Sequence, residues 1–222
     1  FVQGAGSTSG TFAGIFESSS GVDILSVRND GFVGINNSAP AYKFDVVGDI
    51  SIDQPSAYYV STTKALYGKP TSDQWFMAGA GNVTGSATKN IGIGNAALLS
   101  FTTGINNVAI GYHAGRLIQG GQGNVAIGTE ALKTNVSGNN NFALGTEALK
   151  VSTASNNVAV GGLSQPATST GEKNVSLGYF TLNANTTGFE NVAIGNVAMQ
   201  LNVDGYRNIA IGSEALLSNT AG

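Results

Sequence analysis

From residue 90 onward the apolar positions are organised by a five-residue phrase, Asn, then a β-branched or aromatic residue, a small residue, an aliphatic residue and Gly. Its copies end at Gly94, Gly111, Gly128, Gly145, Gly161, Gly178, Gly195 and Gly212, spaced 17, 17, 17, 16, 17, 17 and 17 residues apart. A fixed short period marks a repeat array in which each unit is one coil that buries its apolar surface by stacking on its neighbours. Within each phrase the two large residues lie two apart and so share one side of a strand: Val108 with Ile110, Val125 with Ile127, Phe142 with Leu144, Val192 with Ile194, Ile209 with Ile211. These are expected to fill the interior. The opposite side carries Gly92, Ala109, Ala126, Ala143, Ala159, Ser176, Ala193 and Ala210. That column of small residues predicts a close neighbour outside the coil, most simply the same column of two partner chains around a three-fold axis.

The rest of the coil follows from the same alignment. The glycine ending each phrase supplies a positive φ or room for a neighbouring backbone. Ala97-Leu98, Ala131-Leu132, Ala148-Leu149, Ala198-Met199 and Ala215-Leu216 then plug the interior again. Thr129 to Lys133 and Thr146 to Lys150 predict single helical turns held by stacking, since one turn is unstable alone. Asn90, Asn107, Asn124, Asn141, Asn157, Asn174, Asn191 and Asn208 open the phrases and predict an amide ladder between coils. Two copies depart from the pattern. Gly162-Leu163-Ser164-Gln165-Pro166 predicts a local distortion near residues 150 to 170, and His113-Ala114-Gly115-Arg116 lacks the usual Leu, so Ile118 is expected inside. Eight coils stacked about 4.8 Å apart give a rod of roughly 34 Å.

Upstream the pattern changes. Residues 1–20 show weak apolar alternation at Phe12, Ile15 and Phe16 and read as a lead-in or a first strand. Val22 to Val27 and Phe32 to Ile35 flank Asn29-Asp30-Gly31 and predict a hairpin. Tyr42, Phe44 and Val46 alternate on one face of a further strand, and Ile50-Ser51-Ile52 before Pro55 forms a last short one. Residues 1–52 thus form a β-rich module, 53–89 a junction and 90–222 the array. Trp75, Phe76 and Met77 stand at the entrance to the array and are expected to cap its first coil, which would otherwise leave apolar surface and a strand edge open.

The stretch Gly31-Phe32-Val33-Gly34-Ile35, Ala39-Pro40 and Tyr42-Lys43-Phe44-Asp45-Val46-Val47-Gly48-Asp49-Ile50 resembles the G-x-V-G-I-G-T-x-x-P-x-Y-K-L-D-V-x-G-D-I segment of bacteriophage tail fibres and related virion spikes. Asn36 replaces a Gly of that pattern and Phe44 a Leu. The resemblance implies a trimeric shaft whose chains pair with one another, often followed by a self-cleaving chaperone domain. The V-A-I-G phrases are similar to the head repeats of trimeric autotransporter adhesins, whose units are usually shorter than 17 residues.

Composition narrows the chemistry. Charged residues are only 10% of the chain against the roughly 25% usual for soluble domains, so Asn, Ser, Thr and Gly supply the polar surface. A formal charge of -3 with no Lys/Arg cluster excludes the basic footprint that nucleic acid or an anionic membrane requires. No apolar run reaches the 18 or so residues of a membrane helix, and with no cysteine there are neither disulfides nor thiolate metal sites. Gly92-Ile93-Gly94-Asn95-Ala96-Ala97 matches a dinucleotide fingerprint, but it lies in register with the array and outside any βαβ unit. His113 is the only histidine, with no nucleophile beside it in any recognisable motif. Glu130, Glu147 and Glu214 share one column and read as solvated decoration rather than a glycosidase pair. Cofactor, metal and catalytic residues are therefore not expected. Phe189 and Tyr206 share a column in adjacent coils, with Tyr179 and Phe180 following the strand just below; these four are the candidate receptor contacts.

The expectation is an all-β protein: a parallel β-solenoid or β-roll of about eight 17-residue coils behind a β-hairpin shaft module, as an intertwined homotrimer. It reads as a segment of a longer virion or phage tail fibre, not an enzyme, that joins other fibre, tail or capsid proteins. On the virion surface it would project weak contacts to a host glycan or protein receptor, multiplied by three-fold valency. The alternatives are the head of a bacterial trimeric surface adhesin and a glycan-cleaving tailspike.

Overall fold

In the computed structural model, residues 12–17, 23–37, 39–47, 58–60, 63–69, 74–77, 80–81 and 86–220 are described. Among them every regular element is a strand, and the chain divides into two compact units, Phe1–Asp53 and Gln54–Gly222. The Ile50 to Ile52 strand and Pro55 lie outside the described residues, as does the side chain of Trp75.

The first unit is a four-stranded sheet in sequence order, β1 (Phe12–Glu17), β2 (Asp23–Arg28), β3 (Val33–Ile35) and β4 (Phe44–Val46). The expected hairpin is present, with β2 and β3 antiparallel and Leu25 opposite Ile35. Phe32, beside its turn, lies under two cations, with Arg28 Cζ 4.7 Å and Lys43 Nζ 4.4 Å from the ring centre. β4 then pairs parallel to β3, which requires the chain to loop back after Ile35. Asn36 starts that return at φ 52°, a left-handed conformation that Asn tolerates well, and its Nδ2 donates to the Val47 carbonyl at 3.2 Å.

The second unit is one eleven-stranded sheet. β5 (Tyr58–Val60), β6 (Thr63–Lys69) and β7 (Gln74–Met77) run antiparallel to one another. From β7 onward every pairing is parallel: β8 (Ile91–Ile93), β9 (Val108–Ile110), β10 (Val125–Ile127), β11 (Phe142–Leu144), β12 (Val158–Val160), β13 (Val175–Leu177), β14 (Val192–Ile194) and β15 (Ile209–Ile211). Each phrase residue sits directly over its counterpart, Val125 against Val108 and Phe142, Ala126 against Ala109 and Ala143. These are the eight coils of a β-solenoid.

The two sides of the strand are reversed from the expected arrangement. Ala109, Ala126, Ala143, Ala159 and Ala193 are completely buried inside the coil, whereas Val125 and Ile127 are only half-buried and Ile209 and Ile211 are more than two-thirds exposed. The reason is girth. Across the narrow interior, Ala126 faces the Ala131-Leu132 segment of its own coil, and the cluster of buried Ala and Leu leaves no room for a second large side chain. The close neighbour of the Ala column is therefore the far wall of the same coil.

The far wall is not helical either. Glu130 and Leu132 have φ of 59° and 48°, and Glu147 and Leu149 repeat them. Ala131 N donates to Gly128 O and Lys133 N to Glu130 O, so Thr129 to Lys133 forms two successive tight turns with a left-handed third residue, the feature of type II turns. This leaves Glu130 N free to reach Tyr112 O of the coil before at 2.9 Å and Leu132 N to reach Ala148 O of the coil after at 3.0 Å. A helical turn would direct those donors along its own axis and lose both inter-coil bonds. Gly128 stands where the strand enters the first turn, with φ 130°, and a Cβ there would lie 2.5 Å from Gly145 O. Both parts of the sequence argument for that glycine apply.

The amide ladder forms as expected and does more than link amides. Asn107 N and Nδ2 both donate to Asn90 Oδ1, at 2.8 and 3.1 Å, and Asn107 Nδ2 also reaches Gly121 O at 2.8 Å. The backbone half of the contact repeats up to Asn208 N on Asn191 Oδ1. A second ladder escaped the sequence reading: Asn202 Nδ2 donates to Asn185 Oδ1 at 2.9 Å, and Asn135 and Asn185 cap their own turns through Gly138 O and Gly188 O. Its only trace in the sequence is the Asn-x-x-Gly spacing near the end of several repeats.

Phe76 is the cap. It occupies the Ala column one rung before Gly92, is fully buried, and packs its ring at a tilt against Phe101, centroids 5.5 Å apart. A Cβ on Gly92 would sit 2.8 Å from that ring, which accounts for the only Gly in the column. Met77, by contrast, points outward and is 42% exposed. Ile118 fills the interior above Gly115 as expected. Near residues 150–170 the coil keeps its register, because Gln165 takes the buried Leu position and is met by polar partners. Its Nε2 donates to Ser176 Oγ at 2.6 Å, and Ser176 Oγ lies 2.6 Å from Ser164 Oγ. Ser176 is the one hydroxyl in the Ala column because this amide is there to meet it.

Two substitutions test this interior. Ser176→Ala alone should destabilise by about 1–3 kcal/mol by leaving the Gln165 amide under-bonded, whereas pairing it with Gln165→Leu should recover most of the loss. A chemical-denaturation double-mutant cycle showing no coupling between them would contradict the buried pairing. Ala126→Leu should cost about 1–3 kcal/mol through overpacking within one coil, seen as an earlier thermal transition by circular dichroism.

Candidate functional site

Because Ala faces inward, the large residues of the phrase face outward and build a continuous apolar strip. One column runs Met77, Ile93, Ile110, Ile127, Leu144, Val160, Leu177, Ile194 and Ile211; the other runs from Ile91 to Ile209. Each is at least partly accessible, and Met77, Ile91, Phe142, Leu144, Leu177, Ile209 and Ile211 are all more than a third exposed. Nine parallel strands span about 38 Å at roughly 4.8 Å per step. Three residues of width give a flat face of about 400 Å², the size at which a contiguous apolar patch marks an interaction surface. No charged residue interrupts either column.

A different corner carries the four candidate contact residues. Phe189 and Tyr206 stand in adjacent coils just before the strand, their rings parallel within 5° and 5.1 Å apart, and both are well exposed. Tyr179 and Phe180 lie beyond the other end of the strand and form an edge-to-face pair at 4.5 Å. The structure thus makes two aromatic pairs, separated by the strand, rather than one patch. Phe180 adopts φ 54° in the first tight turn and is half-buried, while Tyr179 is 55% exposed.

Beside Phe189 the surface opens into a groove of about 220 Å³ lined by Thr170, Glu172, Lys173, Thr187, Phe189 and Glu190. Glu190 is held by Arg207 Nε at 2.8 Å and lies 3.6 Å from Lys173 Nζ. Its carboxyl is shifted below the ordinary carboxylate range, first by the Arg207 hydrogen bond. Glu172, one coil below Phe189 in the same column, has no side-chain partner among the described residues.

A third cluster follows the first tight turns. Glu130 Oε1 meets Lys133 Nζ at 2.6 Å and its Oε2 meets Lys150 Nζ at 2.8 Å, with Lys150 also 3.2 Å from Glu147. Glu130 is only 18% exposed, so it is a partly buried rung of an ion-pair network and not the solvated decoration expected. Glu147 extends the network, whereas Glu214 is exposed. His113 stacks on Tyr112 at 3.8 Å, with Nδ1 3.7 Å from Glu130 Oε1. Among the described residues no group of three metal-ligating side chains converges, and no helix is long and apolar enough to cross a membrane.

The hydrogen bonds from Lys133 and then Lys150 hold the Glu130 pKa at about 2 against an ordinary 4.5, despite the opposing effect of burial. A depressed folded-state pKa means the stabilisation is present above pH 4.5 and is lost as pH falls from there toward 2. Glu130→Gln should flatten the decline of the thermal midpoint across that window; an unchanged acid limb would remove the network from the stability of the coil.

Comparison with family models, with characterised proteins and with solved structures finds no match to this chain.

Proposed function

We propose that this chain is a structural segment of a virion or phage tail fibre, assembled as a parallel homotrimer, that carries a host-attachment surface. The observation that carries the reading is the apolar strip from Met77 and Ile91 to Ile209 and Ile211, which no charged residue interrupts along the length of the stacked coils. Apolar residues gain about 25 cal/mol per Å² when removed from water, and a second surface of the same kind, in the same register, is the natural cover. The number three comes from the resemblance of residues 31–50 to trimeric fibre shafts. The partner contact thus shifts from Ala126 and its column to Val125 and Ile127 and theirs.

In such an assembly the strips of three chains face the axis and the aromatic corners face solvent. Attachment then works by multivalency, three weak contacts per fibre acting at high effective concentration. The same rod also suits the head of a trimeric surface adhesin, since its stacked Asn-Val-Ala-Ile-Gly coils are similar to those head repeats. Both readings place the chain outside a cell and give it the same task.

Light scattering should return a mass about three times 22.4 kDa. Ile127→Asp combined with Ile194→Asp should reduce it to the single-chain value while circular dichroism retains the β signal, since both side chains point away from the coil interior. A wild-type monomer would sink the trimer. Antibodies raised against the segment should label purified virions by immunogold; label confined to bacterial surfaces would select the adhesin instead.

A further inference from the structure

The column that holds Phe189 and Tyr206 is mostly polar in the coils before them, where Gln122, Asn139, Ser155 and Glu172 occupy the same place and Ile105 is the aliphatic exception. The coil therefore does not need an aromatic ring there. Two successive rings, 38% and 45% exposed, are retained at a site where water would favour polar groups. Tyr206 covers one face of Phe189, and the other face looks down the column toward Glu172 across the groove. The groove is smaller than the roughly 300–1,000 Å³ of pockets for drug-sized ligands and suits one ring-sized group.

Its chemistry is divided. One wall is the apolar face of Phe189; the rim carries the hydroxyls of Thr170 and Thr187, the ammonium of Lys173 and the carboxylate of Glu172. Glu190 is already engaged by Arg207, whereas Glu172 has both oxygens available. Arg207 and Lys173 together balance Glu190 and Glu172, so the charged groups at the groove carry no net charge. A ligand that fits must present C–H groups on one side and several hydroxyls around its edge, and it must itself be uncharged.

We propose that this groove is a saccharide subsite that takes one neutral pyranose ring, with the C–H face of the sugar on Phe189 and a vicinal pair of hydroxyls on Glu172. Lys173 donates to a third hydroxyl oxygen of the sugar. Tyr206 acts by holding Phe189 flat, and the site repeats three times in the assembled fibre. The inference rests on the attachment reading above and names the class of surface that is recognised.

Saturation-transfer NMR with methyl β-D-galactopyranoside, methyl β-D-glucopyranoside and methyl α-D-mannopyranoside tests it. At least one glycoside should receive saturation at its ring C–H protons more strongly than at its methyl group. Phe189→Gln should abolish that transfer without loss of fold, because Gln122 already occupies the same column. Glu172→Gln should weaken binding roughly tenfold, as one charge-assisted contact is lost. No transfer to any of the three, or transfer that persists in Phe189→Gln, overturns the subsite. Light scattering on the same samples separates the two readings: a trimer that ignores all three glycosides removes the saccharide site alone, and a monomer removes the fibre assembly whatever the spectra show.

Discussion

The width of the coil is the constraint on which everything else depends. Seventeen residues closed into one turn leave an interior only one Ala and one Leu deep, so the chain cannot hold a globular core. It must satisfy its backbone between coils instead. Glu130 N bonds the coil before and Leu132 N the coil after, and to aim those donors the chain accepts left-handed φ at Glu130, Leu132 and Asn140 within one repeat. Each such residue costs about 1–2 kcal/mol in isolation. The stacked hydrogen bonds and Asn ladders offset that cost only because every coil repeats the same choice.

The same constraint explains what could and could not be read from the sequence. Repeat period, parallel register and the Asn90 to Asn208 ladder were legible because each is a statement about spacing. Alternation with period two likewise showed that Val125 and Ile127 share a side. It could not show which side is inside, because that depends on how far apart the walls stand, and hydrophobicity favours the wrong answer. Thr129 to Lys133 misled in a similar way: its residues suit a helix, but isolated propensity is outweighed by the bonds available to an adjacent coil. Gln165 looked like a disruption because its partner Ser176 lies 11 residues further on, and only the fold brings the two together. Of the four candidate contact residues, the shared column of Phe189 and Tyr206 was legible from the period, but the groove beside them depends on turns that spacing alone does not specify.

Reversal of the strand changes the origin of the argument for assembly. A buried Ala column needs no partner chain, so it lends no support to a trimer. The outward Val and Ile columns do, and more strongly, since they leave apolar side chains in water along the length of the rod. Ile209 and Ile211, on β15, are the most exposed residues of the strip.

A scaffold of this kind separates stability from recognition by position within the repeat. Ala126, Leu132 and Asn124 belong to columns that tolerate few residue types, because each makes the same contact in coil after coil. The column of Phe189 tolerates Ile105, Gln122, Ser155, Glu172 and Tyr206 in one chain, because its side chains project from a corner whose backbone is fixed by the columns on either side. A contact surface can therefore change there residue by residue at little cost to the coil. In the proposed trimer, three-fold repetition would make even a weak contact useful, since the second and third engagements would occur at an effective concentration set by the rod rather than by solution. The aromatic corner owes its freedom to vary to the same narrow coil that forced Val and Ile outward.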